Sequence, residues 1–237
     1  ELRGKESMDQ IHARESHPKD LHVREGRSAP ITPTLLELAD NDDPRALIVD
    51  LFTDKWRPWI AIWCGDGRWA DKVSAAIQSY NAGGTDQTSV MGSVSMLAKF
   101  IRASREEALE LFADQVVFAH VHHDVVGIQV ITHPLCGATK EQVVKKVAGA
   151  KSVYTSPTKA PPEVVALTRR VELQIHRSDL DVFRDWAFAR FPFIDAVEYL
   201  RATKARLEPF SHHEAANCRQ IEKMIERGVL SKDILNQ

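Results

Sequence analysis

Two cysteines and one histidine stand at spacings typical of a metal site. Cys64 lies in the segment Trp-Cys-Gly-Asp-Gly-Arg (63–68), and His133 and Cys136 lie in Thr-His-Pro-Leu-Cys-Gly (132–137). Two thiolates and one imidazole form the soft ligand set that zinc prefers. Because the motif offers three protein ligands rather than four, one tetrahedral position would stay open, as it does in catalytic zinc sites.

Each half of this motif follows an apolar segment that predicts a buried β-strand. Residues 58–63 (PWIAIW) end at Cys64, and residues 125–132 (VVGIQVIT) end at His133. Apolar, β-branched runs bounded by Gly and Pro are typical of strands in a parallel sheet. Since ligands of open α/β sheets bind at the carboxyl ends of strands, we expect both halves of the motif at one edge of the sheet.

Helical patterns complete the predicted architecture. Asp43-Pro44 resembles a helix start, and the capping-box sequence at Thr139 predicts another helix, with Cys136 just ahead of its N-terminus. Further helices are expected to begin near Pro161, Ser178, Pro192 and Ser211. We therefore expect an α/β protein with a central, mainly parallel sheet flanked by helices.

The chain divides into three predicted regions. Residues 1–34 are polar and charged and predict an N-terminal arm, residues 35–155 predict the zinc-binding α/β core, and residues 156–237 predict an all-helical C-terminal extension. The segment 116–121 fits either a strand or the end of a helix, because its periodicity does not decide between them.

Composition excludes several classes of partner and compartment. The chain has 237 residues, 43% hydrophobic and 27% charged, with a formal net charge of −2. That balance predicts no nucleic-acid partner, and no apolar run approaches the roughly 18 residues that span a bilayer. Three cysteines, two of them in the metal motif, leave no disulfide framework, so we expect a reducing compartment, either the cytoplasm or an organellar matrix or stroma.

A second cluster, His120, His122 and His123, is most simply the polar edge of a strand or loop. If one of these imidazoles bordered the metal cavity, it could move protons, because histidine titrates near neutral pH. The sequence leaves this alternative open.

Taken together, the motifs resemble those of the β-class carbonic anhydrases. That family carries a Cys-x-Asp-x-Arg motif, matched by Cys64, Asp66 and Arg68, and a His-x-x-Cys-Gly motif, matched by residues 133–137. Its Asn-Ala-Gly turn is matched at residues 81–83. The resemblance covers roughly residues 56–150.

The resemblance implies a function and a role for each matched residue. It implies Zn²⁺ held by Cys64, His133 and Cys136, and a dyad of Asp66 and Arg68 that holds or releases the fourth position. It implies a substrate pocket lined by Ala82, Gly83 and Gly137. The implied activity is the reversible hydration of CO2 to bicarbonate, in a homodimer or a higher homo-oligomer.

The chain also departs from the family pattern. Only 17 positions (81 − 64) separate Cys64 from Asn81, fewer than is usual, and the region after about Lys151 does not match the family's closing strand. Two alternatives therefore stay open. One is a COS or CS2 hydrolase on the same zinc site. The other is a carbonic anhydrase-like structural subunit of a larger assembly. The predicted N-terminal arm and C-terminal extension favour this alternative, whereas the intact Asp66 and Arg68 argue against it.

Overall fold

A mixed β-sheet forms the centre of the computed structural model, which describes residues 19–27, 59–80, 85–203 and 206–236. Within these residues the sheet has six strands, in the order β1-β5-β4-β2-β3, with β6 beside β5. The strands are β1 (Leu21–Val23), β2 (Trp59–Cys64), β3 (Asp86–Val90), β4 (Gly127–Thr132), β5 (Ala196–Ala202) and β6 (Leu207–Pro209).

The register of the sheet brings several strand ends to one edge. Strands β3, β2, β4 and β5 run parallel, whereas β1 and β6 pair antiparallel with β5. Cys64 pairs with Val90, and Thr132 pairs with Arg201. The residues that follow β2 and β4 therefore emerge at the same carboxyl edge.

Helices cover both faces of this sheet. They are α1 (Ala70–Tyr80), α2 (Ser93–Arg102), α3 (Glu106–His123), α4 (Gly137–Lys146), α5 (Ala150–Thr155), α6 (Pro162–Arg190) and α7 (Phe210–Glu226). A short 3₁₀ helix follows at Lys232–Asn236. Helices α2, α3 and α6 share one apolar core with the sheet, and α1 packs in a second core with Ala61, Ile131 and Leu200. No helix among the described residues is long and apolar enough to cross a membrane.

The central strands form because most of their residues are apolar and both faces of the sheet are covered. All six residues of β4 and all seven of β5 are buried, and continuous apolar runs are typical of parallel strands covered on both sides. Gly127 is needed where β4 passes Trp59, because a Cβ there would lie 2.5 Å from a ring carbon of that side chain.

The prediction of an all-helical C-terminal extension is wrong. The spacing of Ile194, Val197 and Leu200 predicts a helix, but residues 196–202 form β5, which lies between β4 and the short strands β1 and β6. Hydrogen bonds with these neighbours satisfy the backbone of a fully buried segment, and this tertiary pairing overrides a local pattern that fits either structure. The sheet thus takes strands from both sides of residue 156.

Helix boundaries also differ from several expectations. Ser178 begins no helix, because it lies inside the 29-residue α6. Helix α4 begins at Gly137 rather than at Thr139, whose hydroxyl instead donates to the carbonyl oxygen of Cys136 at 2.9 Å. Residues 116–121 belong to α3, which settles that alternative. The expected helix at Asp43-Pro44, most of the arm 1–34 and the turn at 81–84 lie outside the described residues.

Candidate metal centre

The three residues of the sequence motif meet at the carboxyl edge of the sheet. Cys64 ends β2, His133 directly follows β4, and Cys136 directly precedes α4. All three side chains are buried, and their ligand atoms lie within 4.8 Å of one another. Two protein ligands of one tetrahedral zinc lie roughly 3.5–3.8 Å apart, given Zn–S of about 2.3 Å and Zn–N of about 2.0 Å. The group can therefore hold a metal ion.

The orientation of His133 fits a metal ligand. Its Nδ1 lies 3.0 Å from the carbonyl oxygen of Pro134, and its Nε2 is buried with no hydrogen-bond partner among the described residues. A backbone carbonyl at one ring nitrogen is the usual way to fix the tautomer that leaves the other nitrogen to a metal. The indole of Trp69 stacks on the imidazole at a centroid distance of 5.4 Å and limits its rotation.

The two thiols influence each other directly. A hydrogen bond from Cys136 lowers the pKa of Cys64 to about 4, although burial opposes the shift. The same contact, together with burial, raises the pKa of Cys136. The contact between the two thiols therefore favours a thiolate within the pair, which is the form that binds metals.

Asp66 and Arg68 form an ion pair beside the cysteines. The Arg68 Nε donates to Asp66 Oδ1 at 3.0 Å, and its Nη2 donates to Oδ2 at 2.5 Å. The Asp66 carboxylate also accepts the backbone N–H of Arg68 at 3.0 Å. These hydrogen bonds, mainly those of the Arg68 guanidinium, lower the pKa of Asp66 to about 2. Arg68 is 61% exposed, so the pair lies at the solvent side of the centre.

The turn from Cys64 to Arg68 is a local structure. The backbone N–H of Trp69 donates to the carbonyl oxygen of Asp66 at 2.8 Å, and α1 begins at Ala70. Arg68 Nη2 also makes a weak contact with the other half of the centre, at the carbonyl oxygen of Leu135, 3.4 Å away.

The loop 133–136 has a different kind of support. Leu135 adopts φ of 56°, a left-handed conformation that costs an L-residue roughly 1–2 kcal/mol. The carboxylate of Glu172, from α6, accepts the backbone N–H groups of Leu135 at 3.0 Å and Cys136 at 2.9 Å. It also contacts Arg201 Nη2 at 3.1 Å.

The contact of Glu172 with the loop 133–136 was not predicted from the sequence, although the pattern of polar residues along its helix could have indicated it. Helix α6 carries a polar stripe at helical spacing whose members are all buried: Thr168, Glu172, His176 and Asp179. Buried polar side chains need partners. A polar stripe beside the apolar residues of a long helix therefore indicates contacts with another polar segment.

The predicted substrate pocket consists of Ala82, Gly83 and Gly137. Ala82 and Gly83 lie outside the described residues. Gly137 is the first residue of α4, and a Cβ built on it would have no heavy atom within 4 Å, so the space beside it is open. Its role in a substrate pocket stays a prediction.

The histidines at 120–123 lie at the opposite edge of the sheet. His120 Nδ1 lies 2.8 Å from the carbonyl oxygen of Val125, just before β4, and its ring stacks on Phe193. His133 follows the other end of β4, about 20 Å away at roughly 3.3 Å per residue. This distance argues against a proton-transfer role at the centre for His120.

Comparison with known proteins gives this chain no relative. None of the protein-family models, curated proteins or solved structures compared with it matches. The geometry of the site is therefore the basis for a proposed function.

Proposed function

We propose that the protein is a zinc-dependent enzyme that catalyses the reversible hydration of CO2 to bicarbonate. The proposal rests mainly on the arrangement of the side chains at the site. Three buried ligands converge from two segments, the end of β2 and the loop 133–136, and a carboxylate fixed by an arginine lies two residues from one of them.

Zinc is the metal that this ligand set favours. Two thiolates and an imidazole are soft ligands, and they disfavour Mg²⁺ and Ca²⁺, which bind oxygen. Within the described residues, Cys64, His133 and Cys136 form the whole cluster, so no fourth protein ligand closes the site. When bound, zinc supplies Lewis-acid activation of water for attack on CO2.

The chain's own contribution to the chemistry is the Asp66 carboxylate. Because its pKa is about 2, it is ionised at neutral pH and can only accept hydrogen bonds. Arg68 holds both carboxylate oxygens, which fixes the direction from which Asp66 can accept a hydrogen bond from a reacting water. Such an acceptor needs no reorganisation during the reaction.

The buried ligands make the second contribution. Cys64, His133 and Cys136 are each at most 4% exposed, and the Trp69 ring covers one side of the imidazole. Bulk water therefore has little access to the ligand atoms, and among the described residues the dyad gives the centre an exposed side. We also propose that the chain acts as a homodimer or a higher homo-oligomer.

Stopped-flow measurement of CO2 hydration with a pH indicator tests the proposal. The zinc-loaded full chain should accelerate hydration, chelator treatment should abolish the activity, and added zinc should restore it. COS and CS2 are assayed in parallel. A zinc-loaded chain with no activity toward CO2 would contradict the proposal, and turnover of COS or CS2 alone would replace the substrate.

A further inference from the structure

The backbone of the loop 133–136 has polar groups that neither neighbouring element can satisfy. Strand β4 ends at Thr132 and α4 begins at Gly137, so the N–H groups of Leu135 and Cys136 lie outside both hydrogen-bond patterns. Buried N–H groups are almost always paired. Here both point to one carboxylate, that of Glu172, which lies 36 residues from Cys136 in the chain.

Glu172 contacts both the loop and the residues that surround it. It is fully buried, accepts hydrogen bonds from Leu135, Cys136 and Arg201, and lies 3.3 Å from the Thr139 hydroxyl. His176, one helical turn further on, lies 4.0 Å away, which is beyond hydrogen-bond distance. A carboxylate with this set of donors has little freedom to move.

Arg201 supplies the charge that makes this burial possible. It lies on β5 and is 3% exposed, and its Nη2 lies 3.1 Å from Glu172 Oε2. An isolated buried carboxylate is unfavourable, but a paired and hydrogen-bonded one is tolerated. The loop is thereby connected through Glu172 to both α6 and β5.

We propose that Glu172 is a positioning residue that sets the ligand geometry of the candidate metal centre, an inference that rests on the proposed function. It fixes the left-handed Leu135 and the backbone of Cys136, and so determines where the Cys136 thiolate lies relative to Cys64 and His133. Groups that orient metal ligands in this way typically change metal affinity by about 10–100-fold when they are replaced.

The test compares Glu172→Gln with a matched control, Asp179→Asn. Asp179 is a buried carboxylate of the same helix, but its partner is Arg102 of α2, at 2.5 Å, rather than the metal loop. Both variants remove a buried charge and leave an arginine without its carboxylate. Zinc affinity is measured by competition with a chromophoric chelator, the visible spectrum is recorded with Co²⁺, and thermal unfolding is followed for both.

We expect Glu172→Gln to bind zinc about 10–100-fold more weakly than the wild type and to shift the cobalt bands. Asp179→Asn should keep the wild-type affinity and spectrum even where its thermal stability falls. Equal affinity and equal spectra in the wild type and Glu172→Gln would overturn the inference. Equal losses in both variants would overturn it as well, because they would show a general effect of stability.

A second variant covers the case in which Glu172→Gln does not fold. Thr139→Val keeps the shape of the side chain and retains Glu172, but removes the hydroxyl that contacts both Cys136 and Glu172. We expect a several-fold loss of zinc affinity, and an unchanged affinity would contradict the inference. Failure of the proposed function looks different, because then the wild type itself would bind no zinc or would not hydrate CO2.

Discussion

The two halves of the candidate centre are held in opposite ways. Cys64 and Gly65 pair with Val90 of β3, but the rest of the turn to Arg68 is stabilised by contacts between residues two or three apart, and its arginine is mostly exposed. The loop 133–136 is buried and is held by Glu172 and Arg201, which come from α6 and β5.

Because of this difference, we expect the two halves to have different roles. A loop fixed by buried, distant residues can keep metal ligands in one geometry. A turn held by an exposed ion pair can rearrange at little cost, because such pairs contribute about 0–1 kcal/mol to stability. We therefore expect changes behind the loop to affect folding and metal binding, and changes in the dyad to affect catalysis.

Truncation after Lys159 should give the largest effect. It removes α6 and β5, and with them Glu172, Arg201 and much of the main apolar core, including Leu180, Phe183 and Tyr199. We expect no cooperative thermal unfolding, because the sheet loses a fully buried strand. Circular dichroism during heating checks this.

The control for that truncation ends at Gly228, after α7. It removes only the final segment with its short 3₁₀ helix and should unfold cooperatively. A chain ending at Lys159 that still shows a sharp transition would mean that the core folds without β5.

Replacement of a ligand in the fixed loop should give the next largest effect. Cys136→Ser exchanges a thiolate for a hydroxyl, which is a poor zinc ligand, and we expect most of the metal to be lost from a chain that binds about one zinc. Cys218→Ser is the matched control, because Cys218 is exposed on α7 and should be irrelevant to the metal. The zinc content of each variant is measured by elemental analysis. Full zinc retention in Cys136→Ser would exclude Cys136 as a zinc ligand.

The smallest effect should come from the dyad's contribution to stability. The pKa of Asp66 is lowered from 3.8 to about 2, so its stabilisation is complete above pH 4 and is lost as the pH falls toward 2. Because Arg68 is 61% exposed, solvent screening reduces this contribution to about 1 kcal/mol or less.

Urea unfolding of chelator-treated wild type and Asp66→Asn between pH 5 and pH 2 measures that contribution. The stability difference between them should shrink by about 1 kcal/mol or less over this range. A loss of several kcal/mol would show that the turn is as firmly held as the loop, and the contrast between the halves would fail.

The local part of this centre could be predicted from the sequence. Cys64, His133 and Cys136 could be assigned because strand ends and ligand spacing are properties of short segments. Asp66 and Arg68 could be paired for the same reason, since only one residue separates them.

The distant part could not be assigned in the same way. In the sequence alone, Glu172 resembles an ordinary charged residue on a helix, because its partner Cys136 is distant in the chain. Val197 and Leu200 have a spacing that also fits a helix, and only their pairing with β4 makes them part of a strand. Both depend on contacts between residues far apart in the chain, which a local pattern does not contain.

The central claim is that the fixed ligands and the dyad form one catalytic site, and Asp66→Asn tests it most directly. The variant should keep the zinc content of the wild type, because Asp66 is not among the ligands. Its rate of CO2 hydration should fall about 10²–10³-fold, the usual loss for one positioned polar group. Zinc content and stopped-flow rates are measured on the same preparations. A wild-type rate in fully zinc-loaded Asp66→Asn would contradict the account.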